Sequence, residues 1–129
     1  AVRSARRRGA PAVQVSVFAD VPAAGEWATV LLLDGNIGIG GDPVLLLTRI
    51  HALLTPGGTA LVELDPPGVK AGRFHAHVEH GGGVGPRFLW ARVGPDQIGE
   101  VAIRSGFSIA ALWDEADRWF VQLACGAQP

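Results

Sequence analysis

Residues 29–43, T-V-L-L-L-D-G-N-I-G-I-G-G-D-P, constrain this chain more than any other stretch. Val30, Leu31, Leu32 and Leu33 form an unbroken apolar run, the pattern of a parallel strand buried on both faces. Asp34, Gly35 and Asn36 end the run. Gly38, Gly40 and Gly41 leave the backbone free to take positive φ or to approach a ligand closely. Asp42 is a good N-cap, and Pro43 fits the first helical position, where a missing N–H costs nothing. A strand end that opens onto a helix start is where open α/β sheets bind ligands.

The flanking residues extend this pattern. Residues 43–54 predict an amphipathic helix, with Val44, Leu47, Ile50 and Leu54 on one stripe. Pro56-Gly57-Gly58 stops it, and residues 59–64, T-A-L-V-E-L, predict the next strand. Strand, helix and strand at this spacing make a parallel βαβ unit. Upstream, residues 12–18 alternate, with Val13, Val15 and Val17 on one face and Gln14 and Ser16 on the other, which predicts a strand. Residues 27–33 form the central strand. Residues 95–105 predict a helix with Ile98, Val101 and Ala102 inward. Residues 107–113 and 118–124, separated by D-E-A-D, predict an antiparallel hairpin. Residues 69–86 are glycine-rich and read as an irregular excursion or a short strand pair.

Composition removes several classes of function. A chain of 129 residues, 48% hydrophobic, is the size of one domain with a real core. The net charge of −1 gives no overall field to select nucleic acid or an anionic membrane. Residues 1–8 carry Arg3, Arg6, Arg7 and Arg8, but no aromatic residue is interleaved, so they read as a solvated helix end. No apolar run is long enough to cross a membrane, and no signal segment opens the chain. Cys125 is the single cysteine, which fits a reducing, cytoplasmic compartment.

The order of elements, the L-L-T-P-G-G-T-A-L-V-E-L stretch over 53–64 and the closing hairpin together resemble a class I S-adenosylmethionine-dependent methyltransferase. The resemblance covers nearly the whole chain and corresponds to the later two-thirds of that fold. It implies an α/β, Rossmann-like sheet, mostly parallel, in the order 3-2-1-4-5-7-6 with the last strand antiparallel. Residues 12–18 then take the third strand, 27–33 the fourth and 59–64 the fifth. The family's first strand, its G-x-G-x-G loop and the acidic residue after its second strand have no counterpart here. With no methionine in the sequence and a helix-like opening, the expectation is a single incomplete domain, an N-terminally truncated fragment lacking the first two strands. Such a fragment is expected to be inactive alone and either to aggregate, to dimerise along the edge left free beside Val30–Leu33, or to pair residues 12–18 directly against that edge.

What the resemblance implies about chemistry follows from the reaction. The sulfonium methyl is already electrophilic, so the protein positions the acceptor and removes a proton. The loop after the fourth strand faces the methyl group in this family, which points to Asp34 and Asn36 as catalytic residues. Cofactor contacts fall on Ser16 and Val17, with Asp20 nearby, at the adenine end, and on Asp34, Gly35 and Ile37 at the methyl end. The substrate-facing loop would offer His75, His77, Arg87 and Trp90, with Phe88 beside them, to a small-molecule acceptor. The expected cofactor is S-adenosyl-L-methionine.

Other readings weigh less. Counting from Gly38, the dinucleotide pattern breaks at Pro43, and no lysine follows to make a P-loop. Asp65-Pro66-Pro67-Gly68 resembles the D-P-P-Y motif of amino-directed methyltransferases, but Gly68 stands where the stacking aromatic would be, so it reads as a rigid strand exit. His75, His77, Glu79 and His80 do not share one strand face and are joined by no cysteine, so no metal site is expected. Trp27, Trp113 and Trp119 read as packing residues. Two further functions remain open: a non-catalytic α/β binding module, and half of a nucleotide-dependent oxidoreductase.

Overall fold

A computed structural model describes residues 1–126. Helix α1 spans Val2–Arg7 and β1 spans Trp27–Leu32. A 3-10 turn over Asn36–Gly41 leads into α2, Pro43–Leu53, and then β2, Leu54–Leu64. Asp42 caps α2 as its residue type predicts, its Oδ1 accepting from Leu45 N at 3.1 Å. β1 and β2 run parallel, with Val30 opposite Ala60 and Leu32 opposite Val62.

Strands β3 (Gly72–Ala76) and β6 (Phe88–Arg92) form a separate antiparallel ribbon, with the short hairpin β4 (Glu79–His80) and β5 (Gly83–Val84) at its tip. Helix α3, Ile98–Arg104, precedes β7 (Phe107–Glu115) and β8 (Arg118–Cys125). β8 lies between β2 and β7 and is antiparallel to both, so the main sheet has the order β1-β2-β8-β7. This is the 4-5-7-6 end of the expected sheet.

One face of the sheet holds the core. Ala60, Val62 and Leu64 of β2 and Val121 and Leu123 of β8 pack with Leu46, Leu47, Ile50 and Leu53 of α2 and with Ile98 and Ala102 of α3. The alternating burial along β2 and the helical spacing of apolar residues in α2 put these side chains on facing sides of that core. No helix among the described residues is long and apolar enough to cross a membrane.

Two sequence expectations are corrected. The run Val30–Leu33 is not buried on both faces: β1 is an edge strand, Leu32 faces the core, and Leu31 on the other face is 57% exposed. Residues 12–18 are not a strand of any sheet. Their valines do share a face, since Val13, Val15 and Val17 all line one groove beside β1. The segment is held by a side chain instead of a ladder: Arg49 of α2 donates Nε to Val17 O at 2.9 Å and Nη2 to Ala19 O at 2.6 Å.

Candidate functional site

At the end of β1 the chain reverses through Leu33-Asp34-Gly35-Asn36, with Asn36 N donating to Leu33 O at 3.1 Å. Asp34 and Gly35 both have positive φ, 54° and 80°. Such a turn suits an Asp-Gly pair, because aspartate tolerates the left-handed region and glycine has no Cβ to clash.

Asp34 is tied to two residues far along the chain. Its N–H donates to Glu63 Oε1 at 3.0 Å. Arg118 grips the same carboxylate with both ends, Nη2 to Oε1 at 2.6 Å and Nε to Oε2 at 3.1 Å. The same Nη2 lies 3.5 Å from Asp34 Oδ1. The Glu63 side chain is only 15% exposed, whereas that of Asp34 is 87% exposed. The Arg118 hydrogen bond first, and the Asp34 N–H second, hold the Glu63 carboxyl below its ordinary value. Its folded pKa is therefore lower than its unfolded one. The stabilisation is complete above the ordinary glutamate range and is lost as pH falls through the lowered value. Urea unfolding at a series of acidic pH values is expected to show this limb, and Glu63→Gln to flatten it. An unchanged acid limb in the variant would contradict the pairing.

The glycines of the turn serve a close approach, but to the chain's own β6. A Cβ at Gly38 would overlap the Trp90 indole and come within 2.5 Å of Ala91 O. A Cβ at Gly41 would lie 2.8 Å from Leu89 Cβ. Strand β6 thus rests directly on the loop that follows β1 and brings Trp90 beside Gly35 and Gly38. Phe88 stands edge-on to Trp90, with ring centroids 5.7 Å apart.

The remaining sequence candidates are scattered by comparison. Asn36 is exposed and lines a groove of about 620 Å³ together with Val17, Val30, Leu32 and Ile39. Ile37 is fully buried, so its side chain belongs to the core and offers a ligand only its backbone. Ser16 closes a local turn, its Oγ accepting from Phe18 N at 3.2 Å and its carbonyl from Ala19 N at 3.0 Å. Asp20 is exposed. His75 opposes Leu89, so the pleat sends it to the ribbon face opposite Trp90. His77 lies beyond β3, Nε2 3.4 Å from Glu79 Oε1, and Arg87 is exposed just before β6. The side chain of His80 lies outside what is described. Among the described residues no group of three or more His, Cys, Asp or Glu is placed to hold a metal ion.

Sequence reasoning missed Arg49, Glu63 and Arg118. Arg49 sits just off the apolar stripe of α2, a signal that it could reach sideways. Glu63 is a carboxylate in an otherwise apolar strand, which requires a partner.

A sheet with this strand order and an antiparallel closing strand is the fold of S-adenosylmethionine-dependent methyltransferases, over the part of it that the chain covers. One such structure, from Bacteroides fragilis in complex with S-adenosyl-L-homocysteine, superposes with a TM-score of 0.72 at 20% identity, covering 98% of this chain and 59% of that one. The glycopeptide N-methyltransferase MtfA complexed with S-adenosylmethionine gives 0.65 at 17% identity, over 98% of this chain and 68% of that one. The Burkholderia thailandensis 1,6-didemethyltoxoflavin-N1-methyltransferase gives 0.63 at 15% identity, over 95% and 55%. No family model and no curated protein matches the sequence.

Proposed function

We propose that this chain is the acceptor-side part of an S-adenosylmethionine-dependent methyltransferase that acts on a small molecule. The observation that carries the reading is the turn after β1, where Asp34, Gly35 and Asn36 stand at the carboxyl end of a parallel strand in this fold and Asn36 lines the groove beside it. Neighbours with the same fold were crystallised with S-adenosylmethionine or S-adenosylhomocysteine, and one with bound 1,6-didemethyltoxoflavin.

The groove fits such a cofactor in chemistry. Val17, Val30, Leu32 and Ile39 offer an apolar wall, and Asn36 offers an amide with both a donor and an acceptor. Val17 and Ser16 would lie at the adenine end, with Gly35 and the Ile37 backbone at the other. When bound, the cofactor supplies an electrophilic methyl group. Asp34 then accepts a proton at its exposed carboxylate, held by the Glu63–Arg118 pair, and Asn36 orients the acceptor. Trp90 gives the acceptor a flat apolar wall beside the turn, with Arg87 just before it in the chain; His75 and His77 would reach only an acceptor that extends past the ribbon.

Calorimetry with S-adenosylmethionine on the longest natural protein that contains these residues is expected to show binding. Asn36→Ala is expected to weaken it about tenfold. Asp34→Ala is expected to leave binding within about threefold and slow methyl transfer by roughly 10² or more. No detectable heat at millimolar ligand would overturn the reading in favour of a non-catalytic binding module. We also read the free edge of β1 as a surface for self-association of the 129-residue chain.

A further inference from the structure

Three elements line the groove beside β1: the strand itself, the segment over residues 13–21, and α2 through Leu46, Ile50 and Leu53. Two of these are fixed by regular structure. β1 is paired to β2, and α2 packs into the core. The segment has neither support. It belongs to no sheet, and its other hydrogen bonds are local: Ser16 Oγ accepts from Phe18 N, Ser16 O from Ala19 N, and Ala19 O from Val21 N. The chain is tied on either side of it. Arg6 Nε donates to Ala12 O at 2.8 Å, and Gly25 N donates to Leu53 O of α2 at 2.9 Å. Between those ties, among the described residues, the hydrogen bonds to a distant part of the chain are the two from Arg49.

Arg49 is built for this task. Its Nε and Nη2 reach Val17 O and Ala19 O at 2.9 and 2.6 Å, so one planar group grips the backbone on both sides of Phe18. Hydrogen bonds from a charged donor are the stronger kind, and the one to Val17 is partly buried. Among the described residues no carboxylate lies within ion-pair distance of Arg49, so the segment is what it holds. The grip is passed on at two side chains. Val17 packs against the core and lines the groove. Phe18 rests on the turn after β1, where a Cβ at Gly40 would lie 3.5 Å from its ring. A rotation of the segment about its tied ends would therefore move the Val17 wall and the Phe18 contact together.

We infer that Arg49 is a positioning residue: it holds Ser16 and Val17 as a preformed wall and so sets the affinity of the groove for the adenosyl part of its ligand. Arg49 itself does not line the groove. A wall that is ordered before binding spares the ligand the cost of ordering it. Lysine, with one ammonium on a flexible stem, cannot grip two carbonyls in this way. That the ligand is adenosyl rests on the methyltransferase reading; that Arg49 orders the wall does not.

The test compares the parent with Arg49→Ala and Arg49→Lys in the longest natural protein that contains these residues. Calorimetry with S-adenosylmethionine and with S-adenosylhomocysteine is expected to show binding about tenfold weaker in Arg49→Ala and about threefold weaker in Arg49→Lys, by the same factor for both ligands. The pair of ligands separates position from charge, since the first carries a sulfonium cation and the second does not. Loss of a cation from the protein would by itself tighten the first relative to the second. That pattern, or unchanged binding with only a lowered unfolding temperature, would overturn the positioning role. A second measurement needs no ligand. Amide heteronuclear NOE values at residues 16–20 are expected to fall in Arg49→Ala, while those at Val62 and Val121 hold and show that the variant is folded. Arg49→Lys carries both measurements if the alanine variant does not fold. Undiminished values at residues 16–20 would overturn the clamp whatever the calorimetry gives. No heat with the parent protein would count against the methyltransferase reading instead, and the NMR then decides on Arg49.

Discussion

Gly38→Val is expected to destabilise the protein by at least about 3 kcal/mol, near the upper end for overpacking a close-fitted site. The first atom added, Cβ, already meets both the Trp90 indole and the Ala91 carbonyl. The indole could swing aside, but the carbonyl belongs to β6 and can move only if the strand lifts off the turn. Against a total of about 5–15 kcal/mol, this is a large share. Gly57→Ala is the control. Gly57 has open space around it but a φ of +79°, so the substitution costs only about 1–2 kcal/mol of backbone strain. Urea unfolding of the two variants separates crowding from strain. If Gly38→Ala stays within about 0.5 kcal/mol of the parent, β6 does not rest on the turn as described.

The second large effect concerns association. At tens of micromolar, sedimentation equilibrium of the 129-residue chain is expected to show dimers or larger species that dissociate on dilution. Among the described residues β1 pairs on one side only, leaving a row of main-chain donors and acceptors without a strand partner on the other. The groove beside it is walled by apolar side chains, and Trp27 and Leu31 on the strand itself are exposed. Natural edge strands carry charge or proline to discourage pairing, and W-A-T-V-L-L has neither. Leu31→Lys places a charge on this strand without touching the core, and is expected to weaken association at least tenfold. A monodisperse chain at these concentrations, before any substitution, would contradict this view of the edge.

The parts of the fold that were legible in the sequence are those in which a local pattern reports a local structure. The capped start of α2, its apolar stripe and the apolar run that follows Pro56-Gly57-Gly58 gave the βαβ unit, and the acidic turn between two apolar runs gave the β7–β8 hairpin. Residues 12–18 show where such reading stops. Alternating valines reveal that one face is apolar, and that face does line the groove. They do not reveal whether a neighbouring strand supplies ladder partners, and here Arg49 supplies two hydrogen bonds in its place. The glycine-rich turn was legible as a place of close approach, but what approaches is β6, some fifty residues further on. In the candidate site, Asp34 could be picked out by its place at a strand end. The Glu63 and Arg118 groups that hold it lie 29 and 84 residues away, joined by strand pairing rather than by sequence spacing.

The placement of β8 has a consequence for how the molecule is made. A ribosome delivers residues 118–125 after β1–β7, yet this segment occupies an interior position, between β2 and β7. Until it emerges, β2 has a neighbour on one side only and β7 has none in the main sheet. The nascent chain therefore carries incompletely paired strands from β2 until β8 emerges, and this part of the sheet closes in one event that joins three strands. Arg118, the first residue of that strand, reaches Glu63 and Asp34 in the same step. Of the strands β1–β8, the one that joins Arg118 to Glu63 and Asp34 is thus added after the other seven.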